Sequence, residues 1–192
     1  MDEPVRVTDA KAILKALGMP KRQQNDNAAY TLVAFAGVGQ QTGWKEAQAV
    51  RSTPHKVIAW AREEFGKEYA ENTRETIRRN AIHQFVQAGI LVRNPDEPGL
   101  ATNSPRTHYA LTAEALAAIQ KFGTEEFGGV AQAFTATHGA LAAKYRKART
   151  RKKIPVTLPS GEQVILSPGK HNQLHKDIVE AFLPQFAASA EV

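Results

Sequence analysis

The chain has 192 residues, 42% of them apolar, with no cysteine and a formal net charge of +6 from 25 basic and 19 acidic side chains. That length suits one ordinary domain plus an appendage, and the absence of cysteine excludes disulfides, thiolate zinc sites and thiol nucleophiles. No apolar run approaches the roughly eighteen residues of a membrane span, and MDEPVRVTDAK lacks the basic-then-apolar order of a signal peptide, so a soluble cytoplasmic protein without membrane contact is expected.

In chain order, Val7 to Leu17 reads as a packing helix that Thr8 or Asp9 can cap and that Gly18 and Pro20 stop. Ala28, Ala29, Leu32, Val33 and Ala36 carry a second apolar stripe up to Gly37. The following GVGQQTG fits neither common phosphate-loop fingerprint and reads as a helix end and loop. Trp44 to Val50 predicts a short helix. Thr53 then caps a helix whose first residue is Pro54, with Val57, Ile58, Ala61 and Phe65 at helical spacing before Gly66. Tyr69 is expected to pack beneath the next turn.

Asn72 and Glu75 have capping-box spacing and announce the most informative helix. Ile77, Ala81, Ile82, Phe85 and Ala88 fall on one side of it and Thr76, Arg79, Asn80, His83 and Gln87 on the other, until Gly89 ends it. Ile90 to Val92 predicts a strand and Thr107 to Leu111 its returning partner, across a loop long for a hairpin. Helix, strand, loop, strand after a supporting helix is the order of a winged helix-turn-helix, whose second helix lies in the DNA major groove. Thr112 caps a further helix bearing Leu116, Ile119 and Phe122, and Phe127 to Leu141 forms another apolar segment.

Lys144, Arg146, Lys147, Arg149, Arg151, Lys152 and Lys153 place seven positive charges within ten residues, with Tyr145 among them and no carboxylate. The other 18 basic residues face 19 acidic ones, so nearly all the excess charge sits here. Phosphate contact explains such a tract better than solvation alone. IPVTLPSGEQVILSPG predicts a hairpin and HNQLHKDIVEAFLPQF a final helix, too little for a domain by themselves. The fold class is therefore mainly α (α+β). A winged helix-turn-helix domain with flanking helices spans 1–143, a basic linker 144–153, and a hairpin and helix beginning an incomplete domain 154–192.

The same outer face supplies candidate readers. Arg79 can donate twice to guanine and Asn80 can pair with the adenine edge, with Thr76 and His83 beside them. Thr73 and Arg74 at the helix start suit phosphate. Arg78 points within the apolar arc and is expected to snorkel or to pair with Glu75 or Glu71. In the wing, Arg93, Asn103, Arg106 and His108 are positioned for the backbone or minor groove.

EYAENTRETIRRNAIHQFVQAGI, TNSPRTHYALT and LSPGKHNQL together resemble the N-terminal part of the BsuBI/PstI family of type II restriction endonucleases, over most of the chain from about Lys11. The resemblance implies sequence-specific binding of double-stranded DNA. In the full-length enzyme it implies Mg²⁺-dependent phosphodiester hydrolysis within a short palindrome by a C-terminal PD-(D/E)xK core. It also implies a cognate DNA methyltransferase, with a homodimer left open. Such a core needs carboxylates to hold Mg²⁺ and a lysine near the attacking water. Here Pro95-Asp96 is followed by no Asp/Glu-x-Lys, and Asp9-Ala10-Lys11 stands on the wrong side within a packing helix. By the family pattern the metal-binding strands come after the final helix, Glu180 is at most an auxiliary acid, and this chain is expected to be inactive alone. A stand-alone winged-helix transcription regulator is the alternative.

Overall fold

The structure is a computed structural model that describes residues 4–70, 72–101, 104–151, 153–167 and 169–186, with only the backbone of 146 and 148–151. It divides into two compact units, Met1–Ala143 and Lys144–Val192.

The first unit is built around α2, Asp26–Ala36, whose residues from Ala28 to Ala36 are all buried. The sequence shows a stripe here. The structure buries the whole circumference, because α1 (Val5–Ala16), α3 (Pro54–Phe65) and the helix beginning at Thr73 all pack on it. The buried Thr31 hydroxyl is satisfied: Oγ1 donates to the Asn27 carbonyl at 2.6 Å. Asn25 caps α2 by accepting from the Ala28 N–H, and Gly37 ends it with φ 63°.

Two local expectations are corrected. The first helix starts at Val5 after Pro4 with no side-chain cap, and Asp9 instead accepts from the Trp44 indole at 2.9 Å and from Arg6 at 3.3 Å. Trp44 to Val50 is not a helix but a single 3-10 turn at Trp44–Glu46. Its indole is buried and fixed by Asp9, so the segment wedges into the fold without needing a second turn.

Helix α3 forms as predicted, with Thr53 Oγ1 accepting from the Lys56 N–H, Pro54 in the first turn, and Val57 and Ala61 fully buried. Gly66 closes it at φ 64°, and ahead of the next helix Tyr69 lies edge-on to Tyr30. That helix runs without a backbone break through α4 (Thr73–Ile77), a π turn (Arg78–Ile82) and α5 (His83–Gln87). Strands β1 (Leu91–Arg93) and β2 (Tyr109–Leu111) pair antiparallel, Leu91 opposite Leu111. Ser52 adds a bridge on the far side of β2 through two 2.9 Å backbone bonds with Tyr109, which ties the entry of α3 to the hairpin. Thr112 caps α6 (Ala113–Gln120) and also donates to the Gly89 carbonyl at 2.8 Å, and α7 (Phe127–His138) follows.

Residues 144–151 of the segment expected as a linker are helical, on α8, Leu141–Arg151. In the second unit β3 (Ile154–Thr157) and β4 (Gln163–Leu166) form the predicted hairpin. The last helix comprises α9 (Lys170–Asp177), a π turn (Ile178–Phe182) and α10 (Leu183–Phe186). Glu180 joins the two by accepting from the Thr157 N–H at 2.8 Å. No helix among the described residues is long and apolar enough to cross a membrane.

Candidate nucleic-acid interface

The helix from Thr73 is amphipathic in the way its spacing predicts. Ile77, Ala81, Ile82, Phe85 and Ala88 are at most 1% exposed, which fixes the rotation of the helix against α2. Thr76, Arg79 and Asn80 are exposed on the other side, Arg74 is exposed near the start, and Thr73 and His83 are half-buried. The buried stripe therefore aims the polar residues outward as a set. A π turn occupies Arg78–Ile82, the segment that carries Arg79 and Asn80, and such turns are rare and concentrate at functional sites.

Glu75 is the centre of charge on this face. Its carboxylate accepts from Arg78 Nε at 2.8 Å and Nη2 at 2.6 Å, and from Arg79 Nε at 2.5 Å. The Arg78 hydrogen bonds, joined by those of Arg79, hold its pKa down at about 2. This replaces the expected capping box: Asn72 has a helical backbone and makes no side-chain cap, because Glu75 turns toward the arginines three and four residues on. Arg78, the ambiguous residue of the sequence, is used up by the protein. Besides Glu75, its Nη1 lies 3.2 Å from His83 Nε2. Burial, then the Arg78 charge, lowers the His83 pKa, so the neutral ring accepts at Nε2 and keeps its proton at Nδ1. Among the described residues the Arg79 Nη1–Nη2 edge and the Asn80 amide have no protein partner.

The loop between β1 and β2 is held by its own polar side chains. Asn94, 1% exposed with φ 45°, accepts from the His108 N–H at 2.9 Å. His108 Nε2 meets Asp96 Oδ1 at 2.5 Å, and Asp96 also pairs with Arg51 at 2.8 Å. Asp96 is thus a structural anchor here, and the Pro95-Asp96 fragment owes its place to the loop. Arg93 Nη2 donates to the Ala101 carbonyl at 2.9 Å and to Thr107 Oγ1 at 3.3 Å, which ties that nitrogen to the loop. Arg106 is 69% exposed and pairs with Glu97 at 3.1 Å. Asn103 lies outside the described residues. Arg51, Asn94 and Asp96 were not singled out for this role from sequence, since their partners stand 12 to 45 residues away.

On the basic tract Lys144, Lys147 and Lys153 are exposed and Tyr145 is half-buried. Lys152, and the side chains of Arg146, Arg149 and Arg151, lie outside the described residues.

The residues present do not fit a magnesium centre. No group of three or more His, Asp or Glu among the described residues is arranged to hold a metal ion. Asp9, Asp96 and Glu180, the acids nearest to a nuclease pattern, are committed to Trp44, to His108 with Arg51, and to the Thr157 N–H with Lys176.

Residues 5–143 match the BsuBI/PstI restriction endonuclease HTH domain, and residues 154–192 match the BsuBI/PstI restriction endonuclease domain. The type II restriction enzyme BsuBI of Bacillus subtilis is 39% identical over 180 residues, covering 94% of this chain and 57% of the relative. The type II restriction enzyme AplI of Arthrospira platensis is 27% identical over 178 residues, covering 93% of the chain and 55% of that protein. Among solved structures, that of the SdaI restriction endonuclease superposes with a TM-score of 0.67 at 34% identity, over 97% of this chain and 58% of its own. The chain thus spans a little over half the length of the relatives it matches. With an HTH-domain match across most of its length and a 39% identical restriction enzyme beside it, the chain belongs to the BsuBI/PstI family of type II restriction endonucleases.

Proposed function

We propose that the first unit is a winged helix-turn-helix that reads a specific sequence of double-stranded DNA on behalf of a type II restriction endonuclease. Helix α3 supports, and the helix from Thr73 to Gln87 enters the major groove. Arg79 and Asn80 read base edges with Thr76 and His83 beside them, while Thr73 and Arg74 meet phosphate. The β1–β2 loop is the wing, with Arg106 reaching the backbone and Arg93 serving by keeping the loop in shape. Lys144, Arg146, Lys147, Arg149, Arg151, Lys152 and Lys153 contribute sequence-independent attraction to phosphates.

The observation that carries this reading is the exposed Arg79–Asn80 pair opposite a fully buried stripe on a helix followed directly by an antiparallel pair. Cleavage of a short palindrome belongs to the enzyme as a whole. Mg²⁺ in that enzyme would supply a Lewis acid and would be held by carboxylates outside the residues matched here. This chain's residues bind and orient the duplex for that step. A cognate methyltransferase protects the host sequence, and a second copy of the chain suits a palindrome.

Fluorescence anisotropy over a salt series, with a duplex carrying CTGCAG, the palindrome that the family resemblance suggests, and a scrambled control, tests the reading. Tighter binding to the palindrome that weakens with salt is the expected result. Equal affinity for both duplexes at every salt concentration would remove sequence reading from this part of the enzyme.

A further inference from the structure

Glu75 is an odd residue for a surface that meets phosphates. Its side chain is half-exposed, on the outer side of the very helix that presents Arg79 and Asn80, where a carboxylate costs attraction to DNA. It caps nothing. What it does is accept from two arginines at once, and it takes them differently. Arg78 gives both Nε and Nη2 in a fork, with its remaining nitrogen against His83. Arg79 gives Nε alone. A guanidinium has one Nε–H and four Nη–H donors in a fixed plane, so holding Arg79 by Nε orients the plane and leaves the Nη1–Nη2 edge facing out. That edge is a fork able to pair with guanine O6 and N7. Arg78, fixed on both sides, keeps the carboxylate from swinging away.

Resting on the proposed sequence reading, we propose that Glu75 is a positioning residue that sets base specificity, braced by Arg78 and holding Arg79 by Nε so that its Nη1–Nη2 edge is presented to guanine. The second consequence is discrimination against the wrong duplex. Where no guanine is offered to the fork, the carboxylate still repels the backbone and Glu75 weakens binding. Glu75 therefore lowers affinity for scrambled DNA while raising the preference for the correct one.

The test replaces each guanine of the CTGCAG duplex in turn by 7-deazaguanine, which lacks the N7 acceptor, and measures binding by the wild-type chain and by Glu75→Gln, Arg79→Ala and Arg78→Met. Wild type is expected to lose ~10-fold or more at one guanine, where the fork keeps O6 but loses its N7 partner and with it the bidentate geometry. Arg79→Ala shows no such penalty, and Arg78→Met, which removes the brace on Glu75, reduces it part of the way. Glu75→Gln reduces it to about threefold or less while binding the scrambled duplex more tightly, with a salt slope steeper by ~1. Thermal melting accompanies each variant, because a merely structural Glu75 would lower the melting temperature and leave the 7-deazaguanine penalty at its wild-type size. That outcome overturns the inference while Arg79→Ala still upholds the sequence reading. A penalty lost in Arg78→Met and kept in Arg79→Ala would make Arg78 the reader and likewise overturn it. A wild-type chain indifferent to 7-deazaguanine at both positions overturns the inference and the reading beneath it.

Discussion

Adjacent arginines on one helix face opposite fates here, and the difference lies in how many donors each has left. Arg78 places Nε and Nη2 on Glu75 and Nη1 near His83. Arg79 spends only Nε, and Asn80 beside it has no protein partner among the described residues. A residue with donors in hand can read a base, and one without them can only position its neighbours. Arg79→Ala and Asn80→Ala are therefore each expected to lower discrimination between the palindrome and its single-base variants by ~1 to 3 kcal/mol, with little change in melting temperature. Anisotropy titrations against the variant set decide this, and unchanged discrimination in both would retire the helix as the reader. Phe85→Ala is the contrasting case. Its ring is fully buried, so the expected result is a loss of about 3 to 5 kcal/mol in stability by chemical denaturation. The sequence identified the outer face correctly because spacing alone decides which residues share a side. It offered the Arg78–Glu75 pair as one alternative, which forms, but could not say that Glu75 would abandon its cap for both arginines, since cap and arginines are offered at the same three- and four-residue spacing.

At the level of elements, the β1–β2 loop depends on a histidine charge that its surroundings favour. Both ring nitrogens of His108 face acceptors: Nδ1 stands 2.9 Å from the Arg106 carbonyl and Nε2 2.5 Å from Asp96 Oδ1. A neutral ring has one N–H, so both bonds form only with the imidazolium. The Arg106 carbonyl first, and Asp96 with it, raise the His108 pKa against burial and the opposing charge of Arg51, while the bond from His108 lowers that of Asp96. The histidine's contribution is thus complete below its ordinary value of 6.5 and is lost as pH rises through the raised one. The aspartate's contribution is complete above 3.8 and is lost as pH falls through the depressed one. The loop is tightest in the weakly acidic window between. Wild type should exceed His108→Gln in melting temperature by more at about pH 5.5 than at about pH 8.5. A difference of equal size at both would separate the loop from this proton. Element types were largely legible, because caps and terminal glycines such as Thr53, Thr112, Gly37 and Gly66 act locally. The Ser52 bridge to Tyr109 and the Asn94 anchor were not, since each joins residues far apart in the chain and leaves no periodic trace. The π turn at Arg78–Ile82 was equally invisible, as its apolar spacing also suits an ordinary helix.

Across the whole chain, core and charge are distributed unequally. In the first unit α2 is buried along nearly its whole length, whereas in the second Val156 is the one apolar side chain buried among the described residues. Ile165, Leu174, Phe182 and Phe186 there are more than half exposed, and Val156, Leu158, Val164, Leu166, Ile178 and Val179 line an apolar cavity of about 250 Å³. A two-stranded hairpin with one helix needs further surface over it, which agrees with a domain match that spans only 154–192 in a chain covering 57% of its relative. Positive charge is as uneven. Outside residues 144–153 basic and acidic side chains nearly balance, so on the proposed reading long-range attraction to DNA comes chiefly from that tract and discrimination from the helix at Thr73–Gln87. The two contributions should separate cleanly. Replacing Lys144, Lys147 and Lys153 together by Gln is expected to weaken binding to the palindrome and to the scrambled duplex alike. The slope of log affinity against log salt should shrink by up to ~2.7, at ~0.9 for each phosphate neutralised. The ratio between the two duplexes should stay at its wild-type value, because the lost contacts carry no base information. A slope unchanged by the triple replacement would mean that the tract does not touch phosphate, and a collapsed ratio would place part of the sequence reading on α8.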